Sequence, residues 1–339
     1  MPNPQPIITA VGCFTPPDVL TNFDLEKLVE TNNQWILERT GIAERHIAGA
    51  GMATSDMSVL AAREALEQRG LSAEQLDVII ICTVTPDMLF PSTACLVQHA
   101  LGATRAWGFD LSAACSGFLY GLTTGASLVA AGMHRKVLVV GADTMSRILD
   151  YQDRSTCILF GDGAGAMLIE AAEPAAPGAN IKDRLGFIDF IGEIDGAGAE
   201  FLRMPAGGSR LPASAETVAH RQHYVKQEGQ QVFKYAVRKM YELSSTLLAR
   251  NGLTAADVDI LIPHQANQRI IDATAERLGL SGDRVMINIG RYGNTTAATL
   301  PLATGDAVKA KRLKRGDLVL FATVGAGYTA GAALWRWSI

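Results

Sequence analysis

Two similar segments lie about half a chain length apart and constrain the fold more than any other feature. GLSAEQLDVIII occupies residues 70–81, and GLTAADVDILI occupies residues 252–262. Each predicts a helix end at Gly-Leu, a short polar link and then a buried strand rich in β-branched residues. A segment that recurs at this distance indicates a duplicated unit. We therefore expect two similar halves.

Further segments recur in the same order in both halves. KVLVVGAD (136–143) and DLVLFATVG (317–325) predict core strands. FGDGAGAMLIE (160–170) and GAGYTAGAALWRW (325–337) each predict a glycine-rich turn followed by an apolar strand. The ordered matches favour duplication over coincidence.

Strands alternate with helical stretches, which favours an α/β fold with mainly parallel sheets covered by helices. The predicted helices span residues 55–69, 116–132, 231–251 and 267–279. We expect an N-terminal half over 1–175 and a C-terminal half over 176–339, because the segment near 172–180 is rich in turn-forming residues. Residues 194–230 are polar and rich in Gly and Ser, and they predict an inserted loop with one short helix.

Composition argues against several classes of protein. A net charge of −4 disfavours general nucleic-acid binding. No run approaches the roughly 18 apolar residues of a membrane span, and the N-terminus has no signal-peptide pattern, so we expect a cytosolic protein. The five cysteines are scattered without C-x-x-C spacing, which predicts neither a disulfide framework nor a zinc site.

Cys115 follows a predicted strand and begins a predicted helix. AWGFDL (106–111) reads as the strand, SAAC as a turn of small residues, and the helix after it is apolar on all sides. Unpaired amide N–H groups and the dipole at a helix N-terminus favour a thiolate there. Free cysteine is also among the most buried residue types. Position alone leaves both a space-filling thiol and a nucleophile open.

His264 and Asn294 occupy comparable junctions in the second half. His264 follows the apolar strand 258–262, and Asn294 follows a strand predicted over VMINIG (285–290). Ligands of open α/β sheets gather at the carboxyl ends of strands. A satisfied histidine and a helix-capping asparagine are the ordinary interpretations. With Cys115, however, these residues form a set suited to acyl transfer, in which a thiolate takes the acyl group and two donors hold a carbonyl oxygen that becomes negative.

The chain resembles the β-ketoacyl-acyl carrier protein synthase III family of the thiolase superfamily, essentially from end to end. The segments that carry the resemblance are NNQWILERTGIAERHI (32–47), FPSTAC (90–95), DLSAACSGFLYGL (110–122), FGDGAGA (160–166), PHQANQRII (263–271) and GNTTAAT (293–299). The resemblance implies a five-layered αβαβα sandwich and a catalytic set of Cys115, His264 and Asn294. The nucleophile interpretation of Cys115 is therefore preferred.

The resemblance also implies the reaction. Cys115 takes the acyl group of an acyl-CoA, and malonyl-acyl carrier protein then loses carbon dioxide and attacks the acyl-cysteine. His264 and Asn294 hold the enolate oxygen, and the backbone N–H groups of Cys115 and Ala326 hold the acyl carbonyl oxygen. Many relatives carry glycine where this chain has Ala326, which puts the backbone angle there in doubt. Acyl-CoA is a substrate, and no cofactor or metal is expected.

The remaining site residues are likewise implied by the resemblance. Acyl-CoA would contact Trp35, Arg39, Thr40, Arg154, Phe233, Ala266 and Asn267. Gln230 occupies a position where relatives often have a channel asparagine. The acidic carrier protein would dock on Lys234, Arg269 and Arg277. The acyl pocket would include Val84, Phe90 and Val324, with Phe90 reaching into the partner of a homodimer.

Other functions stay open as alternatives. A paralogue could pass the acyl group to an acceptor of secondary metabolism, and the order Cys, His, Asn also occurs in papain-like proteases. A non-catalytic module that binds CoA or the carrier protein is the third alternative. FGDGAGAML lacks dinucleotide-binding spacing, His220 and His223 lack a third metal ligand, and KAKRLKRG (309–316) reads as a solvated helix end.

Overall fold

The computed structural model describes residues 3–174 and 184–339. The strands are β1 (Gln5–Phe14), β2 (Asp18–Thr21), β3 (Glu44–Ile47), β4 (Val78–Cys82), β5 (Trp107–Leu111), β6 (Lys136–Asp143), β7 (Gly163–Ala172), β8 (Gly186–Ile194), β9 (Leu202–Arg203), β10 (Lys226–Gln227), β11 (Ile260–Pro263), β12 (Leu318–Gly325) and β13 (Thr329–Arg336). The helices are α1 (Asn22–Leu25), α2 (Asn33–Thr40), α3 (Thr54–Arg69), α4 (Thr93–Leu101), α5 (Gly117–Ala130), α6 (Arg154–Cys157), α7 (Ala215–Ala219), α8 (Gly229–Arg250), α9 (Gln268–Leu278), α10 (Ile289–Tyr292) and α11 (Thr299–Lys309).

Two sheets repeat one strand order, as the duplication predicts. The first runs β1-β7-β6-β4-β5, and the second runs β8-β13-β12-β11. The paired segments behave alike, since Gly70 and Gly252 both end helices in the left-handed conformation with φ of 64° and 65°. A short 3₁₀ turn then leads into β4 in one half and β11 in the other.

The sheets and helices form five layers. Alternate side chains of β4 point to opposite faces of the first sheet. Val78 and Ile80 belong to the core between the two sheets, whereas Ile79 and Ile81 belong to the core on the outer side. Helices α5 and α11 lie between the sheets, where Phe118 and Leu300 belong to the same core. Helix α3 covers the first sheet, and α8 and α9 cover the second. The αβαβα sandwich is confirmed.

The expectation of mainly parallel sheets was wrong. β4 runs parallel to β5 and β6, and β11 runs parallel to β12, but β7 is antiparallel to both of its neighbours and β13 to both of its own. A tight turn joins β12 to β13, and such a short link can connect only antiparallel strands. Strand composition did not reveal this direction, since all of these strands are buried.

The strand predicted over 285–290 was also wrong. Only Val285 pairs, through an isolated parallel bridge to Leu261, and α10 begins at Ile289. The bridge from Val285 to β11 is the counterpart, in the second half, of the parallel pairing between β5 and β4 in the first half. The Gln265 side chain accepts the Asn288 backbone N–H at 3.0 Å, which takes that group out of any strand ladder.

The helices agree with the predicted ranges to within two residues at each end. The insertion contains the one short helix expected, α7, together with a small β9–β10 ladder that was not anticipated. The predicted boundary at residues 175 and 176 lies outside the described residues. Across the described ranges, no helix is both long and apolar enough for a bilayer.

Candidate active site

Cys115 lies in a sharp turn between β5 and α5, as predicted. Ala114 adopts a left-handed conformation with φ of 49°, and a 3₁₀ turn over Ala114–Ser116 leads into α5. The side chain of Cys115 is buried at 5% exposure. A left-handed conformation is strained for a residue with a side chain, and such strain is typical of functional turns.

The second half repeats this turn without a sulfur. Thr296 has φ of 52°, a 3₁₀ turn follows over Thr296–Ala298, and α11 begins at Thr299. Ala297 therefore occupies the place that Cys115 holds in the first half. The turn in the first half therefore carries the thiol, whereas the equivalent turn in the second half has no reactive side chain at this position.

Gly325, at the end of β12, packs directly against the turn that carries Cys115. A Cβ atom added at Gly325 would lie 2.8 Å from the backbone nitrogen of Cys115 and 3.0 Å from that of Ser116. No side chain fits in that gap, so glycine is required here for close approach. The Thr329 hydroxyl also donates to the Ala113 carbonyl at 3.0 Å, which ties the β12–β13 turn to the cysteine turn.

His264 follows the last residue of β11, as predicted, and is 3% exposed. Its backbone N–H donates to the Ala322 carbonyl at 2.8 Å, and its Nδ1 lies 2.7 Å from the Thr299 hydroxyl. Burial lowers the pKa of the imidazole to about 3. The ring is therefore neutral at neutral pH and carries one proton.

Asn294 is held by the opposite half of the molecule. Its backbone forms an isolated parallel bridge with Phe160, its N–H donates to the Leu159 carbonyl at 2.8 Å, and its carbonyl accepts from the Gly161 N–H at 3.1 Å. Its side-chain Oδ1 accepts the Thr296 backbone N–H at 2.9 Å. The amide oxygen is thus occupied, which leaves the NH₂ group as the donor available to a ligand.

One cavity of about 730 Å³ brings the three residues together, since Cys115, His264 and Asn294 all line it. They come from the junctions after β5, after β11 and after α10. A buried thiol beside two neutral hydrogen-bond donors can hold an acyl group and stabilise negative charge on a carbonyl oxygen.

Burial keeps the Cys115 sulfur a thiol at neutral pH, contrary to the expectation of a resting thiolate. Burial raises the pKa of the Cys115 thiol to about 12, and the negative charge of Asp143 adds to this shift. The backbone N–H of Cys115 opposes it with a smaller effect. Desolvation of the buried side chain outweighs the effect of the helix N-terminus.

Asp143 is a second buried ionisable group close to the site. Its Oδ1 accepts hydrogen bonds from the backbone N–H groups of Val84 and Thr85 and from the hydroxyls of Thr83 and Thr85, and its Oδ2 accepts the Ala297 N–H at 3.1 Å. Burial raises its pKa to about 6 against these bonds. The carboxylate joins the first sheet to the turn that supports Asn294.

The lining of the cavity contains most of the residues expected to contact CoA. These are Trp35, Arg39, Thr40, Phe233, Ala266 and Asn267, with Gln230 beside them. Arg154 lies outside the lining, but its guanidinium carbon is 5.0 Å from the centre of the Trp35 ring. Asn267 donates to the Arg39 carbonyl at 3.0 Å, so α2 and the start of α9 are joined here.

Two of the three basic residues expected to dock the carrier protein line the cavity, and the third does not. Lys234 and Arg269 line the cavity, and Arg269 lies over the Phe233 ring at 5.4 Å. Arg277 is exposed in the last turn of α9, two turns beyond Arg269, and does not reach the cavity.

A smaller apolar pocket of about 150 Å³ opens beside Cys115. Of the three residues expected in the acyl pocket, Val84 lines it, Val324 lines the large cavity instead, and Phe90 is 84% exposed and lines neither. Ala326, expected only to supply a backbone N–H, also lines the pocket. The pocket also contains residues that sequence reasoning did not assign: Met145, Ile148, Phe160, Leu202, Met204 and Val225. Phe160 stands in the quoted FGDGAGA segment, which was a signal, while the others carry no motif.

Within residues 3–174 and 184–339, no group of three or more His, Cys, Asp or Glu side chains is arranged to hold a metal ion. His223 Nε2 lies 2.9 Å from the Thr217 hydroxyl, and His220 Nδ1 lies 2.9 Å from the Glu216 carbonyl. All five cysteines are free thiols.

Comparisons with known proteins agree with one another. Two family models match, 3-oxoacyl-[acyl-carrier-protein (ACP)] synthase III over residues 109–184 and its C-terminal counterpart over residues 248–337. A β-ketoacyl-[acyl-carrier-protein] synthase III of Solibacter usitatus is 70% identical over 99% of both chains, and one of Koribacter versatilis is 56% identical over 98% of this chain and 97% of the relative. The crystal structure of 3-oxoacyl-[acyl-carrier-protein] synthase III from Aquifex aeolicus superposes with a TM-score of 0.88 at 42% identity, covering 98% of this chain and all of that one.

Proposed function

The chain belongs to the 3-oxoacyl-[acyl-carrier-protein] synthase III family, and we propose that it joins an acyl group from acyl-CoA to malonyl-acyl carrier protein with loss of carbon dioxide. The observation that carries this proposal is the meeting of Cys115, His264 and Asn294 in one cavity. The N-terminal half (1–175) supplies the nucleophile, and the C-terminal half (176–339) supplies both donors. The product, a 3-oxoacyl thioester, starts a fatty acid chain.

The first step transfers the acyl group to the enzyme. The Cys115 sulfur attacks the thioester carbonyl of acyl-CoA, a new carbon–sulfur bond forms, and the bond to the CoA sulfur breaks. The proton of the Cys115 thiol ends on the CoA sulfur, so the exchange consumes and releases no net proton. The backbone N–H groups of Cys115 and Ala326 hold the carbonyl oxygen while it is negative. The close packing of Gly325 against the cysteine turn supports this role for the β12–β13 loop.

The second step forms a carbon–carbon bond. The bond between the malonyl α-carbon and its carboxylate breaks, carbon dioxide leaves, and the electron pair moves into an enolate. His264 and Asn294 donate hydrogen bonds to the enolate oxygen. The enolate carbon then attacks the acyl carbonyl on Cys115, and the thiolate leaves. Because the pKa of Cys115 is raised to about 12, the released thiolate takes a proton from solvent water, and the free enzyme is restored.

Acyl-CoA enters at the mouth that holds Trp35. The adenine ring would lie against the Trp35 indole, beside the guanidinium groups of Arg39 and Arg154, whose carbons stand 5.9 Å and 5.0 Å from that ring. Thr40, Phe233, Ala266 and Asn267 would contact the pantetheine arm further in. Lys234, Arg269 and Arg277 would attract the acidic carrier protein to the same opening.

The side pocket beside Cys115 would hold the acyl chain. Its lining is almost wholly apolar, and a cavity of about 150 Å³ holds an apolar group about as large as benzene. We expect short acyl groups, straight or branched, to fit. Val84 would contact the chain, and Val324 would face the thioester from the large cavity.

We also propose a homodimer. Met88, Leu89 and Phe90 form an apolar ridge with exposures of 46%, 85% and 84%. Consecutive apolar side chains this exposed favour a protein contact over solvent. Phe90 would then reach the partner's acyl pocket.

The test follows the acyl group by mass spectrometry. The enzyme is mixed with acyl-CoA, the intact mass is measured, and malonyl-acyl carrier protein is added. We expect one acyl group on Cys115, its loss after the second addition, and a 3-oxoacyl carrier protein. Absence of an adduct in wild type would contradict the proposal. If the enzyme is acylated but keeps the acyl group after malonyl-acyl carrier protein is added, the result would instead favour a different acceptor.

A further inference from the structure

The buried side of the His264 ring faces one hydroxyl. Nδ1 lies 2.7 Å from Thr299 Oγ1, and the other edge of the ring faces the cavity that Cys115 and Asn294 share. Thr299 is the first residue of α11 and is 2% exposed. A neutral imidazole carries a single proton, so the bond at Nδ1 decides what Nε2 offers to the cavity.

Two arrangements of hydrogen atoms are compatible with this contact. If Nδ1–H donates to Thr299, then Nε2 is a bare acceptor and cannot stabilise a negative oxygen. If the Thr299 hydroxyl donates to Nδ1, then Nε2 carries the proton and becomes a donor. The hydroxyl has one hydrogen and a second acceptor, the Thr296 carbonyl, at 3.1 Å.

The contacts of the Thr296 carbonyl favour the second arrangement. That carbonyl already accepts the backbone N–H of Thr299, so it is satisfied without the hydroxyl. Nδ1 has no such second donor among the hydrogen bonds of His264 in the described residues. The shorter distance also belongs to the histidine contact, 2.7 Å against 3.1 Å.

We infer that Thr299 is a positioning residue whose hydroxyl donates to Nδ1 of His264 and thereby places the ring proton on Nε2, facing the substrate. The inference deepens the proposed function, because the need for a donor at Nε2 rests on the proposed role of His264. The Thr296 N–H does the same for Asn294 by occupying its Oδ1. One turn, 296–299, therefore orients both donors.

The direct test is the tautomer of the wild-type enzyme. Nitrogen-15 labelled histidine distinguishes protonated from bare ring nitrogens by NMR, and a His264→Asn variant identifies the resonances by their loss. We expect a proton on Nε2 of His264 at neutral pH. A proton on Nδ1 would overturn the inference whatever the enzyme catalyses.

The kinetic test separates the two half-reactions in three variants. Thr299→Val keeps the shape and removes the hydroxyl, Thr299→Ser keeps the hydroxyl, and Thr304→Val is the matched control. Thr304 lies on the same helix, is fully buried, and donates only to the Leu300 carbonyl at 2.8 Å. Each is measured for acylation of Cys115 and for condensation with malonyl-acyl carrier protein.

We expect Thr299→Val to lower condensation about 10²-fold, the loss typical of one oxyanion donor, and to leave acylation at the wild-type rate. Thr299→Ser should restore condensation, and Thr304→Val should resemble wild type. Equal condensation in Thr299→Val and wild type would overturn the inference. Wild-type enzyme that forms no product would refute the proposed function instead, and the NMR result would still stand. If Thr299→Val does not fold, the wild-type tautomer decides.

Discussion

Asn294 of the C-terminal half pairs through its backbone with Phe160 of the N-terminal half in an isolated parallel β-bridge. Phe160 lines both the large cavity and the apolar side pocket. The residue proposed to hold the enolate is thus fixed to the wall that surrounds the acyl group. Because the bridge crosses between the two halves, their relative position sets the distance between donor and nucleophile.

Replacing Gly161 with alanine tests this bridge. A Cβ at Gly161 would meet the Tyr292 carbonyl oxygen at 2.4 Å, so the segment that pairs with Asn294 must move. We expect condensation to fall about 10²-fold, as for a misplaced catalytic group, while acylation of Cys115 by acyl-CoA changes little. Single-turnover assays of both steps provide the measurement.

Gly51→Ala is the control for Gly161→Ala, since a Cβ there meets nothing within 4 Å. Both glycines are changed to the same residue, and thermal melts of the two variants identify any general loss of fold. An equal loss of acylation and condensation in Gly161→Ala would show that the bridge acts on the whole site and not on Asn294.

Replacing Arg154 with alanine should weaken CoA recognition. The guanidinium stands 5.0 Å from the centre of the Trp35 ring, and its Nη1 donates to the Glu30 carbonyl at 2.8 Å. Loss of the guanidinium beside the Trp35 ring, where the adenine is proposed to bind, should raise KM for acyl-CoA about tenfold with little change in kcat. An acyl-pantetheine thioester, which lacks the nucleotide, should react equally with wild type and variant.

Arg291→Ala provides the matched control for Arg154→Ala. Arg291 also lies 5.0 Å from an aromatic centre, that of Tyr292, but outside the cavity mouth. If both variants raise KM for acyl-CoA alike, general surface charge and not the Trp35 site attracts the nucleotide.

Much of the fold was predictable because its signals are local. The helix ends at Gly70 and Gly252 and the apolar runs after them are marked by glycine and by β-branched residues, and the structure has both. The direction of each strand was not predictable from local signals. It depends on whether the connection to the next strand is a short turn or a crossover to the far end of the sheet. The segment at Val285 is apolar enough for a strand, yet only one bridge forms, and the Asn288 backbone N–H three residues later donates to the Gln265 side chain.

The candidate site was predictable at its three reactive positions, because each follows a buried strand or stands in a recognisable segment. Its electrostatics were not. A helix N-terminus at Cys115 indicated a thiolate, but burial depends on side chains from distant segments and raises the pKa instead. Likewise GNTTAAT contains three threonines, and no pattern shows that Thr299 is the one that reaches His264.

The raised pKa of Cys115, about 12, predicts slow alkylation that accelerates with pH. The rate of carbamidomethylation by iodoacetamide should rise about tenfold per unit from pH 6 to pH 9 without a plateau, because the thiolate is the nucleophile. Peptide mass spectrometry resolves each cysteine, and the exposed Cys95 serves as an internal comparison. A plateau for Cys115 near neutral pH would show that the helix N-terminus outweighs burial.

Phe90→Asp should dissociate the proposed homodimer. A charge placed in an apolar contact costs about 3 kcal/mol, which weakens association about 10²-fold. Sedimentation over a dilution series measures the change. Phe23→Asp is the control, since Phe23 is also an exposed aromatic side chain, at 61%, and does not belong to the Met88–Phe90 ridge. A wild-type monomer, or equal dissociation by both variants, would contradict the proposed interface.

Asp143→Asn should change how stability depends on pH. The carboxyl group has its pKa raised from 3.8 to about 6 in the folded chain by burial. The folded protein therefore holds this proton more tightly than the unfolded chain does. The resulting stabilisation is complete below pH 4 and is lost as pH rises through 6, by about 3 kcal/mol in all.

The asparagine variant cannot ionise, so this part of the pH dependence should disappear. We expect the free energy of unfolding to fall about 2 kcal/mol less between pH 4 and pH 7 in Asp143→Asn than in wild type, because wild type has already lost part of the full effect at pH 4. Any hydrogen bond lost to the Ala297 N–H acts at both pH values and cancels in that difference. Asp18→Asn, at an exposed position, is the control for the loss of one carboxyl group.

Denaturant titrations at pH 4 and pH 7 measure the free energy of unfolding of each variant. An unchanged difference would mean that the five hydrogen bonds to Asp143 fully offset its burial, and that the carboxylate anchors the Thr296 turn as a charge at every pH where the enzyme works.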